Sequence, residues 1–261
     1  MHLLISVESL DEAVSIMATG VAIIDAKNTA EGALGAQFPS VTRDIVAAAN
    51  RSGVRTSATL GDLPYKPGTA ALAALGVASV GVKYVKAGLH GLNTHQQALE
   101  MMDAIRQAAC MADENARVVA SGYADWRSFG GLSPDNLVTA ATDTQCHAVM
   151  LDTAVKNGRS LFEHMAVAEL KSFVETAHAA GLCVGLAGSL RLDHADALLD
   201  LQPDIVGVRG AVCSDDTDRR SIISPRKVAT FCRIFQALST TSDVRSPAPL
   251  QDHGPSVAQR Y

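Results

Sequence analysis

The chain has 261 residues, 48% of them hydrophobic and 19% charged. That is too apolar for a disordered chain, and long enough to bury roughly three quarters of its unfolded surface without a disulfide or metal staple. Lys plus Arg number 22 against 27 Asp plus Glu, a net charge of -5, which argues against a globally basic nucleic-acid or membrane-surface protein.

The opening residues Met1-His2-Leu3-Leu4-Ile5 carry no basic stretch and run into Glu8, Asp11 and Glu12, so they do not read as a signal peptide. No apolar run approaches the ~20 residues that span a bilayer. The cysteines (Cys110, Cys146, Cys183, Cys213 and Cys232) are odd in number and widely scattered. They fit neither a zinc ribbon nor a secreted disulfide framework. Buried thiols in a reducing cytoplasm are the expectation.

Eight short apolar runs follow one another along the chain, at 3–7, 21–26, 55–60, 83–87, 117–121, 147–151, 182–186 and 204–208. Rich in Val, Ile and Leu, with polar residues at their C-terminal ends, they read as buried parallel strands. Helical patterns lie between them. Ser9 and Glu12 are spaced as a capping box before a helix at 13–19. Pro39 and Pro67 suit the first turns of the next two helices. Further helices are predicted at 94–111, 133–142, 166–180, 194–201 and 225–238. Gly20, Gly53, Gly81 and Gly181 stand just before strands, where helix C-cap glycines belong.

Eight strand–helix units in about 240 residues give the count of a (β/α)8 TIM barrel, expected as one α/β domain over residues 1–238. A doubly wound sheet would need a Gly-rich phosphate turn after the first strand, and Val7-Glu8-Ser9 supplies none. The polar stretch 239–261 is expected to be a flexible or surface-wrapped extension. Helices rich in Ala and Val are compatible with a homo-oligomer.

In a barrel of this kind the chemistry sits at the C-terminal strand ends. Period-two alternation puts Ile23, Asp25 and Lys27 on one face of the second run, with Ile24 and Ala26 toward the helices. The same rule turns Tyr84 and Lys86 inward on the fourth run, and Met150 and Asp152 inward on the sixth. Lys156 follows in the next loop. A buried lysine is rare and costly, so these positions point to function more than to a structural ion pair. Three lysines and two aspartates would thus converge from alternate strands. Crowded ammonium groups lower the pKa of at least one lysine toward neutrality, and a neutral amine can form a Schiff base with a carbonyl.

After the seventh and eighth runs come Ala187-Gly188-Ser189 and Arg209-Gly210-Ala211. Loops at these two places often form a phosphate cup from backbone N–H groups and a helix N-terminus. Gly188, Ser189, Arg209, Gly210 and Ala211 are therefore candidate phosphate-binding residues, Arg209 pairing either with phosphate or with a carboxylate such as Asp25. The segment 61–69, with two prolines and two glycines, reads as a turn-rich loop. Asp125 reads as a helper acid or base, or as a helix cap. The histidines show no H-x-H or H-E-x-x-H spacing, and neither a G-x-S-x-G elbow nor a Walker sequence is present. No metal and no cofactor are expected.

Several of these segments together resemble one family. They are Asp25-Ala26-Lys27-Asn28 with Glu31-Gly32 and Leu34-Gly35-Ala36, the segment 61–69, Tyr84-Val85-Lys86, Ser121-Gly122-Tyr123-Ala124-Asp125, Met150-Leu151-Asp152-Thr153-Ala154, Ala187-Gly188-Ser189 and Val206-Gly207-Val208-Arg209-Gly210-Ala211. The chain from about 3 to 238 resembles the (5-formylfuran-3-yl)methyl phosphate synthases. The resemblance implies a barrel enzyme joining two glyceraldehyde 3-phosphate molecules into 4-(hydroxymethyl)-2-furancarboxaldehyde phosphate, with loss of phosphate and two waters, on the way to a methanofuran-type one-carbon carrier. It implies that Lys27 is the Schiff-base lysine and Lys86 the proton-transferring one, with Asp25, Asp152 and Lys156 as further site residues. The competing readings are a class I aldolase acting on a sugar phosphate and a non-catalytic sugar-phosphate binder.

Overall fold

The structure, a computed structural model, describes residues 1–215 and 217–241. Eight parallel strands close into a barrel in chain order. They are β1 His2–Val7, β2 Ile23–Ala26, β3 Arg55–Pro64, β4 Tyr84–Gly91, β5 Arg117–Tyr123, β6 Ala148–Asp152, β7 Cys183–Leu186 and β8 Ile205–Val208. The ring is sealed where β1 pairs with β8, Leu4 beside Gly207. The intervening helices are α1 Leu10–Ile16, α2 Pro39–Ser52, α3 Pro67–Ser79, α4 His95–Ala112, α5 Pro134–Asp143, α6 Leu161–His164, α7 Val167–Ala179, α8 Ala195–Leu201 and α9 Pro225–Thr241. This is the expected TIM barrel. The expectation of a flexible extension concerns residues that, beyond Thr241, lie outside the described ones; α9 itself runs three residues past its predicted end.

Local chemistry sets the element ends. Pro39 and Pro67 open α2 and α3, where a missing N–H leaves no bond unmade. Thr94 and Ser133 cap α4 and α5 by accepting from Gln97 N–H and Asn136 N–H. Gly53 closes α2 at φ +69°, a left-handed conformation that favours glycine.

Alternation along the strands separates two apolar layers. Ile24, Ala26, Val85 and Ala87 face outward and pack with the helices, including Met101, Met102 and Ile105 of α4. Leu4, Ile23, Tyr84, Val119, Ala148, Met150, Ala187 and Ile205 plug the interior. Gly185 and Gly207 make room for the Met150 side chain: a Cβ on either would stand 3.1 or 2.9 Å from it.

Three local expectations are corrected. The segment 61–69 is not all loop, because β3 and β4 run on to Pro64 and Gly91. Glycine permits this close pairing: a Cβ on Gly91 would lie 2.5 Å from Pro64 Cα. Helix α1 starts three residues before the predicted position, at Leu10, and Met17–Thr19 is a 3-10 turn. The Ser9/Glu12 box is half formed. Ser9 Oγ accepts from Glu12 N–H, but the Glu12 carboxylate takes Glu8 N–H and Arg209 instead.

Candidate active site

The residues two positions above the interior plug form the floor of a cavity at the C-terminal strand ends. Asp25 on β2 is fully buried. Ser6 of β1 and Ser57 of β3 stand beside it in the strand ladders, and each hydroxyl donates to it, at 2.9 and 2.6 Å. From β4, Lys86 Nζ donates to Asp25 Oδ2 at 2.8 Å. Asp152, at the end of β6, accepts from Lys156 Nζ at 2.7 Å and from Thr153 N–H at 2.8 Å. Lys27 Nζ lies 3.6 Å from the other Asp152 oxygen. The predicted pentad thus forms two contact groups at the ends of β2, β4 and β6, Asp25 with Lys86 and Asp152 with Lys27 and Lys156, coupled electrostatically through Lys27.

Above the floor opens a cavity of about 440 Å³, walled by Lys27, Lys86, Asp152, Lys156 and by Gly188, Ser189, Arg209, Gly210 and Ala211. This size is ordinary for a small-molecule site. Asp25 lies beneath it. Gly188 and Ser189 hold positive φ, +108° and +48°. For Ser189 that is a strained conformation, of the kind found where a loop is shaped for a ligand.

Electrostatics sets Lys27, Asp25 and Asp152 apart. Burial pushes the Lys27 ammonium down to a pKa of about 8; Asp152 opposes this, and Lys86 and Lys156 add to it. Desolvation, more than the expected crowding of cations, makes this amine easy to deprotonate. Burial alone would raise both carboxylates. Lys86 and Lys27 overcome it at Asp25, and Lys156 and Lys27 overcome it at Asp152, so both are held below the usual carboxylate range. The site therefore keeps its acids ionised and one of its amines partly neutral.

Arg209 pairs with a carboxylate, but with Glu12 rather than Asp25. Its two terminal nitrogens donate to the Glu12 carboxylate at 3.0 and 3.2 Å, with Glu8 at 3.5 Å. It does not pair with Asp25, whose oxygens are already taken by Ser6, Ser57 and Lys86. Asp125 stands at the N-cap of the 3-10 turn Trp126–Ser128, but its side chain does not cap it: the two oxygens accept Ala154 N–H and Val155 N–H, fixing the loop that carries Lys156. Two further features escape sequence reasoning. Asp62 binds Ala33 and Leu34 N–H and the Tyr123 hydroxyl, tying the loop after β2 to β3 and β5. Arg219 reaches the cavity wall from beyond β8. Gly32 is matched to Asp62, because a side chain there would collide with its carboxylate.

A closed parallel barrel with such a cavity, lined by amines, carboxylates and glycine-rich loops, defines a (β/α)8-barrel enzyme with its active site at the strand ends. The model of the 4-HFC-P synthase family matches residues 3–232, and the chain belongs to that family. It is 46% identical over 223 residues to the (5-formylfuran-3-yl)methyl phosphate synthase of Archaeoglobus fulgidus, covering 85% of this chain and 94% of the relative. It is 47% identical over 222 residues to that of Methanopyrus kandleri, covering 85% and 93%. Among solved structures, 3-hexulose-6-phosphate synthase from Salmonella typhimurium superposes with a TM-score of 0.58 at 16% identity, over 90% of this chain and 100% of that one; this likeness concerns the fold. No helix among the described residues is long and apolar enough to cross a membrane.

Proposed function

We propose that this enzyme condenses two molecules of glyceraldehyde 3-phosphate into 4-(hydroxymethyl)-2-furancarboxaldehyde phosphate, for a methanofuran-type one-carbon carrier, through a Schiff base on Lys27. The observation that carries this reading is the buried Lys27 amine, lowered to about 8, facing a cavity beside Asp152. An amine of that kind is nucleophilic near neutral pH.

Lys27 attacks the carbonyl of the first triose phosphate, and water leaves the carbinolamine. Lys86 gives the departing oxygen a proton and becomes a free amine held by Asp25. The iminium now makes the neighbouring C–H acidic, and Lys86 takes that proton. The resulting enamine attacks the aldehyde carbon of the second triose phosphate. Expulsion of phosphate by β-elimination, release of Lys27 and ring closure with dehydration give the furan. Two triose phosphates thus yield one furan phosphate, one phosphate and two waters. Asp152 and Lys156 hold the Lys27 end of the site, and the loops at Gly188-Ser189 and Arg209-Gly210-Ala211 surround the substrate phosphate.

The test is the ultraviolet absorbance of a furan when the enzyme is given glyceraldehyde 3-phosphate alone. The wild-type protein is expected to generate it, and Lys27→Ala to generate none while remaining folded by circular dichroism. A product without furan absorbance, such as a plain aldol, would refute the reading.

A further inference from the structure

Two arginines lie on the β8 side of the cavity, and the structure uses them differently. Arg209 is 7% exposed and its donors are spent: Nη1 on Ser6 O and Glu12, Nη2 on Glu12, Nε on the carbonyl of Arg219 at 2.9 Å. A guanidinium has five N–H groups in a fixed fork, so little of this one is left for a ligand. Arg219 is the reverse. Its carbonyl is pinned by Arg209, and the Cys213 thiol also points to it, at 3.5 Å. Its loop is drawn shut by the Cys213–Ile223 bridge and by Ser214 N–H on Ile222 O at 2.7 Å. Its half-buried side chain lines the cavity and, among the described residues, makes no ion pair.

The position of Arg219 is equally specific. Its Cβ lies 3.7 Å from where a Cβ on Gly210 would stand, so it packs directly over the loop that follows β8. Burial disfavours its charge, and Asp152, the carboxylate that most favours it, is already engaged by Lys156 and Lys27. A desolvated guanidinium facing a cavity without its own carboxylate is costly until an anion arrives. Planar N–H pairs fit phosphate oxygens two at a time.

We propose that Arg219 grips the phosphomonoester dianion of the substrate over the Gly210-Ala211 and Gly188-Ser189 loops, and that Arg209 is a positioning residue that fixes the Arg219 backbone on the Glu12 carboxylate. This deepens the function proposed above and rests on its substrate being a phosphorylated triose.

Calorimetric titration of the full chain with inorganic phosphate tests it. Phosphate is expected to bind the wild-type protein, about tenfold or more weakly to Arg219→Gln, with Arg219→Lys between them because it keeps the charge and loses the fork. The KM for glyceraldehyde 3-phosphate is expected to rise in step, while borohydride trapping of unphosphorylated glyceraldehyde on Lys27 stays at the wild-type level. Unchanged phosphate affinity in Arg219→Gln, or no phosphate binding by the wild-type protein, would overturn the assignment. The two proposals fail separately. If wild-type enzyme forms no furan but phosphate binding still depends on Arg219, the anion site stands and the reaction is wrong. If furan forms and Arg219→Gln keeps both phosphate affinity and KM, the reaction stands and the anion site is wrong.

Discussion

The interior plug and the cavity floor are built from the same strands, two residues apart. On β2 Ile23 precedes Asp25, on β4 Tyr84 precedes Lys86, and on β6 Met150 precedes Asp152. At ~3.3 Å per residue the two layers are ~6.6 Å apart. They hold their ionisable groups differently. At the lower end His147 is pushed down to about 4 by burial, with Arg117 and Lys83 adding to the shift, and its ring lies 5.8 Å from that of Tyr84. Half-buried, its ring accepts a hydrogen bond from Arg117 Nη1 at 3.0 Å and, among the described residues, has no carboxylate against it like those at the mouth. At the mouth each lysine stands near a carboxylate, both carboxylates stay ionised, and the Lys27 amine is eased toward its neutral form. A ring held against an arginine only packs, whereas amines and carboxylates held together keep an acid or a base within reach of a ligand. The comparison teaches that one pleat repeat separates the residues that plug this barrel from those that face its cavity.

The largest break in that contrast is expected at Lys86. Lys86→Met is expected to lower the turnover rate by about 10²–10⁴-fold, the range for losing a proton-transfer group. It also strands the buried Asp25 carboxylate, at about 3–5 kcal/mol in urea denaturation. Adding Asp25→Asn is expected to restore stability and not rate. If the rate survives Lys86→Met in the folded fraction, the floor is structural like the plug. Ile23→Ala, one step below Asp25, is expected to show the opposite pattern: about 2–5 kcal/mol of stability lost, with the turnover of the folded enzyme near wild type.

The smallest and sharpest effect is in pH. Lys27 has its folded pKa lowered from 10.5 to about 8, so the free-amine fraction grows about tenfold per unit below that value. Pre-steady-state imine formation is expected to rise with pH and level off above about 8. The stability sign follows from the same shift. The unfolded chain binds the extra proton, so burial of Lys27 destabilises the fold fully below pH 8, and that penalty fades as pH rises toward 10.5. Lys27→Met is accordingly expected to match or exceed wild-type stability at pH 7, with its advantage shrinking at high pH.

Most of the floor was legible in the sequence because period two is a strong signal in short buried strands: Asp25, Lys27, Lys86 and Asp152 could be placed inward by alternation alone. What stayed hidden depends on contacts between distant segments. Glu12 and Arg209 are 197 positions apart and meet only because β8 closes on β1. Glu12 reads as half of a capping box and Arg209 as a partner of phosphate or of a carboxylate such as Asp25, and the two pair with each other. Asp62 and Tyr123 are 61 apart, and Asp62 sat in a segment whose glycines and prolines read as a turn. Gly88 and Gly91 of β4 allow the close strand approach to this segment, which turn signals within the segment itself cannot show.

The central claim is that the chemistry begins on one amine. Reduction with borohydride during turnover of glyceraldehyde 3-phosphate, followed by peptide mass mapping, reads this directly. The account predicts a reduced triose-phosphate adduct on the peptide containing Lys27. Furan formation with no trapped adduct, or with the adduct on Lys86 or Lys156 instead, would contradict it.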